Sequence, residues 1–169
     1  MNLKSHMQIV MVLVMTLFST SVIAGDMNPQ ARPFWGSFEG EARFPFSDAC
    51  LDVTGAPFQT RAHTNGKMTH LGNSTLSTTH CATPDGGAAL NGYAIFKAAN
   101  GDEVWASYFA VTVQQPPIIE QEITMVIDGG TGRFEHASGS LQGKVYIEFQ
   151  GFTDPSWPLE FILSGWIVY

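Results

Sequence analysis

Basic residues are scarce in this 169-residue chain: eight Lys and Arg stand against fifteen Asp and Glu, giving a net charge of −7. The basic residues are dispersed, so no surface can neutralise a run of phosphates, which excludes nucleic acid as a partner and disfavours an anionic membrane surface. Cysteine is nearly absent, with Cys50 and Cys81 the only two and neither in a Cys-x-x-Cys pair. That removes the zinc-ribbon and thioredoxin-like classes. Gly-x-Ser-x-Gly and His-Glu-x-x-His are missing too, so neither a hydrolase elbow nor a zincin helix is encoded. Long apolar runs are limited to Ile9–Phe18, far short of the roughly 20 residues a spanning helix needs. Stable membrane insertion is therefore not expected.

That one run sits in a leader-like context. "MNLKSHMQIVMVLVMTLFSTSVIAGD" has Lys4 near its start, an apolar middle, and Val22 and Ala24 at the small-residue positions read by a signal peptidase. A secretory signal peptide over 1–24 is expected, cleaved after Ala24, with export to the periplasm or the exterior. Cleavage also removes Lys4 and deepens the acidic excess. The remaining segment, 25–169, fits a single domain. In an oxidising compartment Cys50 and Cys81 pair as a disulfide, closing a loop worth about 3–4 kcal/mol; two buried thiols are the alternative.

Past residue 25 there is no helix-length amphipathic pattern. Short apolar or alternating runs are broken by Gly, Pro, Asn and Asp, the signature of an all-β sandwich or barrel. "FWGSFEGEARF" reads as a strand with Trp35, Ser37, Glu39, Glu41 and Arg43 on one face. "ANGDE" between two β-rich runs is strong hairpin chemistry. "EITMVID" and "GKVYIEFQ" alternate, whereas "LEFILSGWIVY" is apolar on both faces and predicts a strand shielded on both sides. About seven or eight mostly antiparallel strands protect their edges best by closing, so an eight-stranded barrel is favoured over a sandwich. Such a barrel is either filled by side chains or holds one small ligand.

"IDGGTGRFEHASGS" raises the question of a phosphate cradle. It lacks the Lys-Ser or Lys-Thr of a P-loop and has no helix after it, so a nucleotide cofactor is not expected. The structural reading is a tight strand-to-strand connection in which Gly129, Gly130, Gly132 and Gly139 turn the chain and Phe134 returns to the core. "VIDGGTGRFEHASGSLQGKV" resembles the Gly-Gly-Thr-Gly-x-Phe-x-x-Ala-x-Gly connection of plant dirigent proteins and is similar to the corresponding segment of allene oxide cyclases. "ANGDEVWASYF" is similar to the hairpin preceding it in both, and "SGWIVY" to the closing strand of small exported bacterial proteins sharing the pattern. The resemblance, over roughly 91–169, implies a calycin-like antiparallel barrel with an internal pocket, often a homotrimer. It also implies an activity that confines a substrate, by cyclisation or by steering radicals.

Aromatic walls with polar tips make small-molecule pockets. Trp105, Phe109, Tyr93, Tyr146 and Trp166 are the candidate ligand-lining residues, with rings that merely fill the barrel as the alternative. Glu39 and Glu41 are weak candidates for a catalytic carboxylate. His63, His70 and His80 crowd near Cys81, and pairing of adjacent strands could bring His63 and His80 together, but no metal-ligand spacing is present and no metal is expected. Three functions follow. The first is non-covalent binding of a small apolar or aromatic molecule without a cofactor. The others are an isomerase-type enzyme acting by confinement, and an interaction protein forming a dimer or trimer.

Overall fold

The computed structural model describes residues 30–151 and 153–169. The expected leader and its cleavage point lie outside them. Eight strands follow in order: β1 Arg32–Arg43, β2 Gln59–Met68, β3 Gly72–Ala82, β4 Ala88–Ala98, β5 Glu103–Gln114, β6 Ile118–Gly130, β7 Ser138–Glu148 and β8 Ser156–Val168. Each pairs antiparallel with its neighbour, and β8 returns to β1, closing the barrel. Among the described strands no unpaired edge remains, which answers the edge problem posed by so many strands.

Period-two alternation decides the faces. On β1, Phe34, Phe38 and Ala42 point inward and are fully buried, while Trp35, Ser37, Glu39, Glu41 and Arg43 are exposed, as the sequence predicts. On β5 the inward row is Val104, Ala106, Tyr108 and Ala110. β8 departs from expectation: Leu159, Phe161, Leu163 and Ile167 face the core, but Ile162 and Trp166 are exposed on the outer wall. In a closed barrel the second face of every strand is the outside, whatever its hydropathy.

The ends of the barrel differ. At the lower end, where β1 begins, the glycine connection forms a plug. Gly129 and Gly130 end β6, a 3₁₀ turn runs Gly132–Phe134, and β7 resumes before Gly139. Gly132 has φ +57°, a conformation that favours glycine, and a β-carbon there would lie 2.2 Å from Asp102 Oδ1. Phe134 is fully buried, 4.7 Å from the Tyr169 ring. The Arg133 guanidinium lies 4.8 Å above the Phe134 ring and donates to the carbonyl of His70, fastening the plug to the β2–β3 turn.

At the upper end the chain between β1 and β2 makes a flap with a short helix, α1 (Leu51–Thr54). The Cys50–Cys81 disulfide ties this flap to β3, and Cys50 is fully buried. Nearby, Trp157 packs between Phe44 at 4.2 Å and Phe149 at 4.8 Å, and its indole N–H donates to Gly151 O. No helix among the described residues is long and apolar enough to cross a membrane.

Candidate functional site

The interior is divided by chemistry as well as by its ends. Phe34, Phe38, Phe96 and Phe134, with Leu76, Met125 and Leu141, fill the lower and middle lumen and are shut off from solvent. Toward the flap the inward side chains of β1–β5 become small or polar, Ala42, Ala62, Ala89 and Ala110 beside Thr60, Thr78, His80 and Tyr108, while β6–β8 add Gln121 and the large apolar Ile123, Val145, Ile147, Trp157, Leu159 and Phe161. An eight-stranded barrel is only just filled by ordinary side chains, and here the alanines stand beside larger neighbours, Ala42 being paired with Trp157.

His80 and Tyr108 are the centre of this upper region. The sequence "STLSTTH" places His80 in phase with Leu76 and Thr78, so it points inward with them. Tyr108 shares the inward row of β5 and reaches across β4, where Gly92 lies opposite it. Nδ1 of His80 and the Tyr108 hydroxyl are hydrogen-bonded at 2.8 Å, with the rings edge to face. Thr78 bonds the same phenol oxygen. Burial pushes the imidazole pKa down to about 4 and raises that of the phenol. Both groups are neutral near pH 7, and the pair shares a proton without carrying charge.

Three interior polar atoms have a different status. Among the described residues nothing hydrogen-bonds Nε2 of His80, the hydroxyl of Thr60 or the side-chain carbonyl of Gln121, whose amide N–H donates to Thr112. Yet no described side-chain N or O atom is both sealed from solvent and unpartnered. These three atoms therefore open onto solvent-reachable space, although His80 is only 9 % exposed and Thr60 6 %. By contrast, Thr64, deeper on β2, spends its hydroxyl on Leu76 O at 2.9 Å. At the flap end a few polar atoms keep a trace of solvent exposure; the lower lumen is closed.

The five candidate aromatics lie on the outer wall. Trp105, Phe109, Tyr93, Tyr146 and Trp166 all sit on outward rows and do not line the interior. Trp105 is half-buried there, its indole N–H donating to Glu103 at 3.0 Å, and Phe109, Tyr93 and Trp166 are exposed. The same Glu103 accepts from Lys97, and these two bonds hold its carboxyl below the usual range. Glu39 and Glu41 are exposed on the outer wall. His63 bonds Ser77 on the outside while His80 points inward, so the wall separates them and they share no metal site.

The outer wall carries two shallow depressions. One, of about 630 Å³, lies at the β4–β5 irregularity, bordered by Asp52, Val53, Asn91, Phe109 and Val126 and reaching Tyr108. The other, of about 520 Å³, lies on β1 and β2 around Glu41, Arg43, Arg61 and His63. Neither contains the His80 imidazole. Their openness to solvent makes them poor places to desolvate a ligand.

Fold and site together define a closed eight-stranded antiparallel barrel whose lower end is filled by aromatic and aliphatic side chains and whose flap end buries a small set of polar ones. No protein-family model matches the chain, and no curated protein does. Among solved structures it is similar to the pterocarpan synthase dirigent protein GePTS1, at 12 % identity over 83 % of this chain and 87 % of that one, with a TM-score of 0.47.

Proposed function

We propose that this protein is an exported barrel that binds a small, largely apolar molecule non-covalently in its upper lumen. The observation that carries the reading is the set of interior polar atoms, His80 Nε2 and Thr60 Oγ1 foremost, that have no partner among the described residues and keep a trace of solvent exposure. A core built only for stability would place hydrocarbon there, because unpaired polar groups in a lumen are costly. Export is supported by the leader-like start and by the Cys50–Cys81 bridge, which fits an oxidising, extracellular-type environment.

Ligand-observed NMR with ethylbenzene tests the reading. Saturable binding is expected, and Ala62→Phe, which grows into the lumen between Ala42 and Thr78, abolishes it while cooperative unfolding is retained. Absence of saturable binding to the wild-type chain, or binding untouched by Ala62→Phe, contradicts it.

The cyclase or radical-steering alternative has less support. A pocket carboxylate is lacking among the described residues, because the buried polar side chains are Thr60, Thr64, Ser74, Thr78, His80 and Gln121, with Tyr108 beside them. A separate observation favours oligomerisation: Phe109, Val111 and Val113 of β5 and Val126 of β6 expose a run of apolar surface on one wall. Sedimentation showing a dimer or trimer, lost in Val111→Lys, supports that role; a monomer at millimolar concentration contradicts it.

A further inference from the structure

We propose that His80 and Thr60 form a polar anchor for an uncharged ligand bearing one oxygen function, a ketone, aldehyde or hydroxyl, on an apolar skeleton, and that the anchor rejects carboxylates. The inference rests on the lumen-binding reading above and names the ligand chemistry that reading leaves open.

Thr60 and His80 are direct partners in the β2–β3 register, and both point inward. Opposite residues on one face of an antiparallel pair place their β-carbons about 5 Å apart. Their free atoms, Oγ1 and Nε2, can therefore meet the same oxygen. The imidazole is held in place by its other nitrogen, since Nδ1 is engaged by Tyr108. Tyr108 is itself held by Thr78 and by the close approach of Gly92. A ring fixed through its second nitrogen is a pre-organised recognition group, and little ordering is lost when it meets a ligand. With the phenol donating to Nδ1, Nε2 carries the proton, and both it and the Thr60 hydroxyl donate toward a carbonyl oxygen.

Charge selection follows from what surrounds the anchor. Among the described residues no Asp, Glu, Lys or Arg is buried. A carboxylate entering the lumen would give up its hydration with no cation to receive it, and an ammonium would find no anion. Neutral hydrogen-bonding groups beside the apolar Val145, Ile147 and Leu159 of β7 and β8 match a neutral ligand with one polar head.

Three probes of nearly the same shape separate these terms: ethylbenzene, acetophenone and benzoate, titrated at pH 7 into the 15N-labelled folded chain. Acetophenone is expected to shift the His80 Nε2 resonance and to bind about tenfold more tightly than ethylbenzene, one charge-free hydrogen-bonded head being worth about that factor. Benzoate is expected to bind most weakly. His80→Leu brings acetophenone to the level of ethylbenzene, and Thr60→Val, which preserves shape, narrows the preference on its own. If ethylbenzene binds as tightly as acetophenone in the wild-type chain, the anchor is overturned and the lumen-binding reading stands. If none of the three binds, both are overturned. If benzoate binds most tightly, the charge selection is wrong.

Discussion

The Tyr108 ring lies against the backbone of Gly92 so closely that a β-carbon at position 92 would sit 2.6 Å from three of its atoms. The two residues are opposite each other on β4 and β5, just below an irregularity between Ala89 and Gly92 where Asn91 adopts φ +50°. The missing side chain is what lets the phenol lie flat across β4 and reach His80 on β3.

Gly92→Ala should therefore cost about 1–3 kcal/mol of stability through overpacking. It should also pull the Tyr108 hydroxyl from Nδ1, which an NMR titration of His80 would register. Unchanged stability with an unchanged imidazole signal would show that the contact constrains nothing.

The buried imidazole makes stability depend on pH, and the sign can be worked out. In the unfolded chain His80 takes up a proton near its ordinary value of 6.5, whereas in the folded chain burial delays uptake to about 4. Between these values the unfolded state binds more protons, so stability falls as pH drops from about 6.5 to 4 and then levels off. The full loss from this group is about 3 kcal/mol. Urea unfolding from pH 7 to pH 4 should show the gap between wild type and His80→Leu changing by that amount. A gap that does not vary with pH would mean that the imidazole is not buried in neutral form.

How much of this was legible in the sequence depended on the residue. Alternation in "FWGSFEGEARF" fixes both faces of β1, because one row is charged and the other is not. On β5 the same parity rule separates Trp105 and Phe109 from Tyr108 but does not say which row is inside. Hydropathy favours the larger row, Trp105, Phe109, Val111 and Val113, and that row proved to be the outer one. Phe34, Phe38, Phe96 and Phe134 already occupy the interior, so β5 turns Ala106 and Ala110 inward beside Tyr108 and keeps its other bulky residues outside. His80 had a usable signal in its phase with Leu76, the lone aliphatic residue in "STLSTTH". Its partnership with Tyr108 had none, since it depends on a register across two strand pairs and on an irregularity in each. The glycine connection was the most legible element: Phe134 is buried as expected, because only a tight turn accommodates Gly132 and the ring together.

The Cys50–Cys81 bridge spans 31 residues and ties the flap to the strand that carries His80. Replacing both cysteines by serine should lower stability by about 3–4 kcal/mol, measured by chemical denaturation against the oxidised wild type. Reductant should lower the wild type by a similar amount and leave the double variant unmoved. A wild type indifferent to reductant would show that the bridge adds little to the fold.

The central claim is that a ligand enters the upper lumen rather than resting on the outer wall. Intermolecular NOEs from ethylbenzene decide it most directly. The account predicts contacts to the methyl groups of Ala62, Ala110 and Thr60, with none to Val126 or Phe109. Contacts confined to Val126 and Phe109, in the outer depression, would contradict it.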